Sequence, residues 1–559
     1  MKKLLGFVII VLLSACKEKQ DMMKEEVVLW TPYNDSLEVA ANADHEKERM
    51  QYKLIQSKVL DKNEIFLPLY NEVSKMSEAD YQKLVPMILE QNIFTIRDFI
   101  DKNELTYEQL VLFYLYRIYK YELNNETTLN TVIALNKDVV EAARKLDQEK
   151  KMGTASQIQH PIYGMPILLK DNINTAGMKT TAGSISLMNN EVEDSFIVKE
   201  LKKNGALILG KVNLSEWAYF LCSGCPVGYS AYGGQTLNPY GRRIFETGGS
   251  SSGSGTAVAA NYAVAAVGTE TSGSILSPSS QNSVVGLKPT IGLLSRSGIV
   301  PISSTLDTPG PMTKNVLDNG ILLSAMLGYD QSDSKSVNKD FPGILSAGLH
   351  PEPFKEMKLG AFAELMESDS IYKRTVENLK AAGAMIIEFT PPEVKMDGFL
   401  SILNIDIRND LPKYLKTYSN PEMVKVGSVD EVIAFNNSDS VVRIPYGQAL
   451  FEGIISDTTS AQDLEKIKNN LEKNGRTFFD TVMDEYNLDA VLSINNYHAG
   501  YAAVAKYPAL TVPMGYRASG EPVSLTFISK QFSEADLLRI GRAFEMKSKV
   551  RVMPKAYGK

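Results

Sequence analysis

Between Thr247 and Pro289 the chain reads TGGSSSGSGTAVAANYAVAAVGTETSGSILSPSSQNSVVGLKP. Hydroxyls sit between glycines in two clusters: Ser250, Ser251, Ser252 and Ser254, then Thr269, Thr271, Ser272 and Ser274. Glycine lets backbone N–H groups approach a bound molecule closely. Hydroxyls on such a backbone are candidate nucleophiles once a base takes their proton. No histidine lies in the stretch. A lysine in an apolar setting is the next candidate base, and Lys170 in GMPILLKDN is one. It must be neutral to accept a proton, and its free pKa is about 10.4, so burial has to lower it. The run PILL just before it can supply that burial.

Several further segments accompany these two. Gly248-Gly249-Ser250-Ser251 is followed 24 residues on by Ser274 and then by VVGLKPTIGLLSRSGIVP. Upstream lie YGMPILLKDNINTAGMKTTAGS, GALILGKVNLSEWA and GGQTLNPY; downstream come STLDTPGPM, YPALTVPMGY and LTFISKQFSEADLLRIGRAFE. As a set, spread over roughly Phe94 to Lys547, they resemble the amidase signature family. The SSSGSG and TETSGSI variants look most like its bacterial peptide-amidase branch.

The resemblance implies an α/β/α sandwich around one large mixed β-sheet, and hydrolysis of a carboxamide bond through an acyl-enzyme. It implies Ser274 as nucleophile and Lys170 as base, with Ser250 relaying the proton between them after a cis peptide bond. It also implies an oxyanion hole made of the backbone N–H groups of Thr271, Ser272, Gly273 and Ser274. No metal and no organic cofactor is implied. The chain departs from the commoner pattern in four places. Ser272 and Ser252 stand for usual glycines, Glu270 for a more frequent Asp, and Leu276 for a frequent Arg. Without that Arg, Glu270 needs another hydrogen-bonding partner. Asp171, Asn172 and Asp307 read as structural hydrogen-bonding residues, and Ser251, Ser252 and Ser254 as loop formers.

Two other readings compete. Gly249 to Gly253 spells G-x-S-x-G, the nucleophile elbow of an α/β-hydrolase esterase, with Ser251 as nucleophile and His350 or His498 as base. That reading leaves Lys170 and Ser274 without purpose. A catalytically silent lipoprotein scaffold is the other; the intact Lys170, Ser250 and Ser274 argue against it. Gly205-ALIL-Gly210-Lys211 imitates a P-loop, but Val212 fills the Ser/Thr position, so it reads as a strand and a turn.

The elements that must hold these residues alternate between helix and strand, which indicates an α/β layered fold. Thr95-x-x-Asp98 and Thr106-x-x-Gln109 predict helix starts of the capping-box kind. The second opens YEQLVLFYLYRIYKYE, a helix apolar around most of its surface. TVIALNKDVVEAARKLDQEKK predicts an amphipathic helix, and Thr256 to Ala266 a close-packed helix behind the serine loop. The run Pro161 to Leu169 and the segments ALILG, KLGAFA, DAVLSI and PALTVPM predict buried strands. MDGFLSILNIDIRNDLPKYLKTYS reads as a helix that borders the cleft or packs in the core.

The N-terminus bears on compartment. Lys2 and Lys3 precede an apolar run, Leu4 to Leu13, too short to span a bilayer and typical of a signal peptide. It ends in Leu13-Ser14-Ala15-Cys16, which resembles a bacterial lipobox and predicts lipidation at Cys16. The alternative is an ordinary cleaved signal with an incidental Cys16. The predicted organisation is a signal peptide over 1–15, a lipid tether and helical extension over 16–75, and an amidase domain over 76–559. Within that domain the core motif runs over 160–315 and a variable region over 316–485. The expected location is the bacterial cell envelope, with a membrane as partner through the lipid. Cys222 and Cys225 in LCSGCPVG suit either a local disulfide or two unrelated thiols. The formal charge of −7 shows no cationic footprint for nucleic acid. The expected substrate is a small-molecule or peptide amide, and a peptide C-terminal amide fits the branch the motifs resemble. Its specificity lies in the variable region, which the motifs do not place.

Overall fold

Apolar runs bounded by turn residues become strands throughout this chain. The computed structural model describes residues 27–154 and 159–558; the expected signal peptide and Cys16 lie outside them. Eleven strands form one mixed sheet. They are β1 Val132–Leu135, β2 Pro166–Lys170, β3 Leu207–Val212, β6 Ala265–Glu270, β7 Val285–Lys288, β8 Thr308–Thr313, β9 Lys358–Phe362, β10 Met385–Phe389, β11 Ala490–Ile494, β12 Ala509–Tyr516 and β13 Pro522–Ile528. A small hairpin, β4 Tyr229–Ser230 with β5 Gly234–Gln235, stands apart. The order across the large sheet is β1-β3-β2-β6-β8-β7-β12-β13-β11-β9-β10. β2 runs parallel to β3 and β6, while β8, β7, β12, β13 and β11 pair antiparallel in turn. Helices flank the sheet, as the α/β/α reading expects. β2 and β3 are buried at every position, as continuous apolar runs covered on both faces should be.

The helix Tyr107–Glu122 begins at the predicted Thr106–Gln109 capping box, with both reciprocal bonds made. Most of its circumference is buried. Arg117 lies inside that helix, fully buried, and donates to the carbonyls of Ala260, Asn261 and Tyr557 at 2.9, 3.0 and 2.7 Å. Pairing every face of its guanidinium makes the burial tolerable. The same bonds hold the turn that ends the serine-loop helix.

Four local expectations change. The helix before Tyr107 is Ile93–Asp101, capped by Asn92, whose side chain accepts from Thr95 N; Thr95 is therefore inside it. TVIALNKDVVEAARKLDQEKK divides into β1 and a helix Val139–Met152, because Val132 to Leu135 pairs as an edge strand with β3. The Ala-rich helix spans Ser252–Ala259, and residues from Ala265 onward belong to β6. Asn261, at φ 57°, turns the chain between the two. Lys211 lies within β3 rather than in a turn after it.

The segment 27–75 holds the helices Ser36–Ala40 and Lys62–Val73 and packs on the domain. Met50, Tyr52, Ile55 and Phe66 are buried in the principal core. Lys53 N donates to Tyr446 Oη at 2.7 Å, and Ser57 Oγ to the Tyr232 carbonyl at 2.7 Å. In the variable region, the helix Phe399–Tyr418 both borders the 303–306 loop and packs in a second core. Asp406 accepts from Ser303 Oγ at 2.5 Å, while Ile402 and Leu411 are buried against Trp217, Phe220 and Leu306 among others.

Candidate active site

Lys170 is the last residue of β2, and Thr269 and Glu270 close the parallel neighbour β6. Such carboxyl ends are where α/β sheets present their chemistry. Lys170 is fully buried. Its Nζ donates to Ser250 Oγ at 2.7 Å, to Thr269 Oγ1 at 2.8 Å and to the Thr269 carbonyl at 3.2 Å. Burial pulls its pKa down to about 7 against the fields of Asp307 and Glu270, which favour the charged form. Near neutrality a large share of this amine is therefore uncharged.

Ser250 reaches Lys170 from the loop before Ser252–Ala259. The Gly249–Ser250 peptide is cis, as the resemblance implies. Gly248 has φ +62°, and a Cβ there would meet the Pro278 backbone at 2.7 Å, so only glycine fits. The neighbouring hydroxyls are committed to the loop itself. Ser251 Oγ donates to the Thr269 carbonyl at 3.0 Å and accepts from Thr269 N at 3.2 Å. Ser252 Oγ donates to the Gly248 carbonyl and Ser254 Oγ to the Val267 carbonyl. Ser251 N donates to the Ser274 carbonyl at 3.2 Å, which draws the second hydroxyl cluster against the first. Ser274 thus joins Ser250 and Lys170 through the backbone; the side-chain bond that the structure shows is the one between Lys170 and Ser250.

Glu270 organises the turn that carries Ser274. It accepts from Gly273 N at 2.6 Å on one carboxylate oxygen, and from Ile275 N at 2.7 Å and Leu276 N at 3.0 Å on the other. Backbone donors take the place of the missing Arg. This corrects one expectation: the Gly273 N–H is committed to Glu270, which leaves the N–H groups of Thr271, Ser272 and Ser274 as candidate oxyanion donors. Thr271 is fixed through Oγ1 to Asp307 Oδ1 at 2.5 Å. Asp307 also accepts from Ile302 N and Ser303 N, both at 2.8 Å, and burial pushes its carboxyl up to about 6. Glu270→Ala leaves three buried N–H groups without an acceptor, each worth about 1–3 kcal/mol. A lower unfolding midpoint by calorimetry is the expected result; an unchanged midpoint contradicts the organising role.

The mouth of the site was not legible from the motifs. A Cβ on Gly273 would come 3.0 Å from Asn496 Nδ2, and one on Gly500 would come 3.9 Å from both Ser272 Oγ and Met396 Cε. The 496–500 turn and Met396 therefore border Ser272, which is half-buried. Thr269, the second anchor of Lys170, was also missed, since nothing in its spacing distinguishes it from the neighbouring hydroxyls. Lys288 of β7 is fully buried without a hydrogen-bond partner among the described residues, and feels Glu270 and Glu534.

The esterase reading loses its histidines. His498 Nδ1 is bonded to Ser493 Oγ at 2.6 Å, its ring is stacked 3.9 Å from Phe362, and burial lowers its pKa to about 4. His350 is exposed. Both oxygen roles of Ser251 are filled by Thr269. Cys222 and Cys225 are joined as a disulfide.

The amidase family model matches residues 109–493, and the chain belongs to the amidase signature family, whose members hydrolyse amide bonds. It is similar to the "Probable amidase" of Arabidopsis thaliana, 37% identical over 84% of this chain and 92% of that protein. An amidase family protein of Bacillus anthracis superposes with a TM-score of 0.82 at 37% identity, over 90% of this chain and 100% of that one. The peptide amidase of Stenotrophomonas maltophilia superposes with a TM-score of 0.77 at 33% identity, over 83% and 98% respectively.

Proposed function

We propose that this hydrolase works through Lys170, Ser250 and Ser274 on the C-terminal amides of peptides, at the bacterial envelope. The observation that carries the reading is the 2.7 Å bond from a buried, depressed-pKa lysine to Ser250. In the proposed sequence, neutral Lys170 takes the Ser250 proton as Ser250 takes that of Ser274. Ser274 Oγ then attacks the substrate carbonyl. The oxyanion is received by the N–H groups of Thr271, Ser272 and Ser274. The proton returns through Ser250 to the departing nitrogen, ammonia leaves, and water cleaves the acyl-enzyme by the reverse route.

The peptide-amide preference is supported by the 33% identity to the Stenotrophomonas maltophilia peptide amidase, together with the SSSGSG and TETSGSI variants. Screening purified protein against C-terminal peptide amides, acyl amides and aryl amides tests it. Turnover concentrated on the peptide amides is expected, and a clear preference for either other class overturns that part of the reading.

The envelope location is supported by the short apolar leader and by Leu13-Ser14-Ala15-Cys16. More than one acyl chain gives stable anchoring where one is marginal. Cys16→Ala is expected to move the protein from the membrane fraction to the soluble one; an unchanged membrane fraction refutes the anchor.

A further inference from the structure

The carboxylate of Asp307 reaches both halves of the proposed machinery. β6 and β8 pair as far as Glu270 with Thr308, so Thr271 and Asp307 face each other just beyond the end of the ladder. Asp307 Oδ1 accepts from Thr271 Oγ1 at 2.5 Å, and Oδ2 accepts from Ile302 N and Ser303 N, both at 2.8 Å. Ser303 Oγ donates in turn to Asp406 Oδ2 at 2.5 Å, and Lys468 Nζ lies 3.0 Å from Asp406 Oδ1. Two helices of the variable region, Phe399–Tyr418 and Ala461–Tyr486, are thus tied to Thr271 through Ser303 and Asp307. Thr271 is two residues beyond Thr269, whose Oγ1 and carbonyl take Lys170 Nζ. Side chains two residues apart in an extended chain share a side and stand about 7 Å apart. The base is bound at the first of these hydroxyls and Asp307 at the second.

We propose that Asp307 is a positioning residue for the reaction: it fixes the Thr271 end of the oxyanion turn against the variable region and places a negative charge beside the base. The inference rests on Lys170 being the base and on Thr271 lending its N–H to the oxyanion. A carboxylate near an amine removed from bulk water favours the charged form of that amine. Asp307 is the larger of the two charges that act on Lys170, and Glu270 is the other. Asp307 also feels Arg296, which is paired with Asp333 and feels Asp410. Lys288 of β7 feels Glu270, and Asp406 is closed by its pair with Lys468.

Asp307→Asn removes the charge and can keep the contacts. Its amide oxygen can accept from the two backbone N–H groups while its Nδ2 donates to Thr271 Oγ1. The test is the acidic limb of kcat/KM against pH, read on the best substrate of the amide panel. In Asp307→Asn the limb is expected to move to lower pH by on the order of one unit. A residue that only braces the loop lowers the rate and leaves the limb in place. A displacement below about 0.3 unit, or one to higher pH, therefore overturns the proposal. Thr271→Val exchanges a hydroxyl for a methyl of similar size and keeps the Asp307 charge. It is expected to lower kcat about tenfold or more with KM within about threefold of wild type, and Thr271→Ser is expected to restore kcat. Wild-type kcat in Thr271→Val, a loss confined to KM, or a loss that Thr271→Ser does not restore overturns the proposal. If Asp307→Asn does not fold by circular dichroism, or turns over too slowly to titrate, the Thr271 pair decides alone by the same criteria. Lys170→Ala separates the two levels. Wild-type kcat/KM in that variant removes the lysine-base reading, and this inference with it. An inactive Lys170→Ala with an unmoved limb in Asp307→Asn removes only the role given to Asp307.

Discussion

Ser274→Ala is expected to abolish amide hydrolysis, with kcat lower by on the order of 10⁴-fold or more, while the protein keeps its fold. The side chain removed is a single oxygen in a turn whose shape is set by other atoms. Glu270 fixes that turn through Gly273, Ile275 and Leu276, and Ser251 N fixes the Ser274 carbonyl. None of these bonds uses the Ser274 hydroxyl. Turnover should therefore vanish without any change in the thermal melt, followed by ammonia release and by circular dichroism on the same sample. Full activity in this variant removes Ser274 as nucleophile. Residual activity at or below about one ten-thousandth of wild type is consistent with substrate held by the remaining N–H donors.

Lys170→Ala carries the second large effect, a fall of about 10²–10⁴-fold, the range general bases supply. In the intact enzyme the base works only when uncharged. Because burial brings its pKa to about 7, kcat/KM should drop by about tenfold per pH unit below that value and level off above it. The sign also holds for folding. The unfolded lysine takes a proton at much higher pH than the folded one, so between the two values the unfolded state binds more protons. This group's contribution to stability therefore rises as pH increases from about 7 toward the ordinary lysine value. His498→Ala and His350→Ala should leave amide turnover close to wild type, since the His498 ring is bonded to Ser493 and stacked on Phe362, and His350 is exposed. The reverse ranking, with a histidine variant dead and Lys170→Ala active, would favour the elbow serine Ser251 despite its bonds to Thr269.

Much of this was legible before any geometry. The serine clusters, the lysine and the segments between them defined the family. Long single-sided or fully apolar runs such as YEQLVLFYLYRIYKYE defined helices whose ends carry their own signals, here Thr106 and Gln109. Three kinds of feature were hidden. Strand and helix are indistinguishable by pattern when a short strand leads directly into a helix, as Val132–Leu135 does. Caps can be supplied from outside the expected motif, and Asn92 outcompetes Thr95 because its side chain already reaches the Thr95 N–H. Partners brought from distant parts of the chain carry no local signal at all. Thr269 against Lys170 and the 496–500 turn against Ser272 are products of tertiary packing. The segment 27–75 is the same kind of case. Its charged, glycine-free composition reads as an appendage, yet Met50, Tyr52 and Ile55 are core residues.

The strand order has a consequence for how the molecule comes into being. β12 and β13 stand between β7 and β11, so among the described residues the two flanks of the sheet are joined strand to strand only through the last strands written in the chain. Until Ile528 has left the ribosome, a nascent molecule holds two half-sheets, each ending in an open edge ready to pair with whatever strand it meets. A clone cut at residue 493, where the family match ends, would not be a smaller enzyme. It would be two half-sheets with the keystone left out.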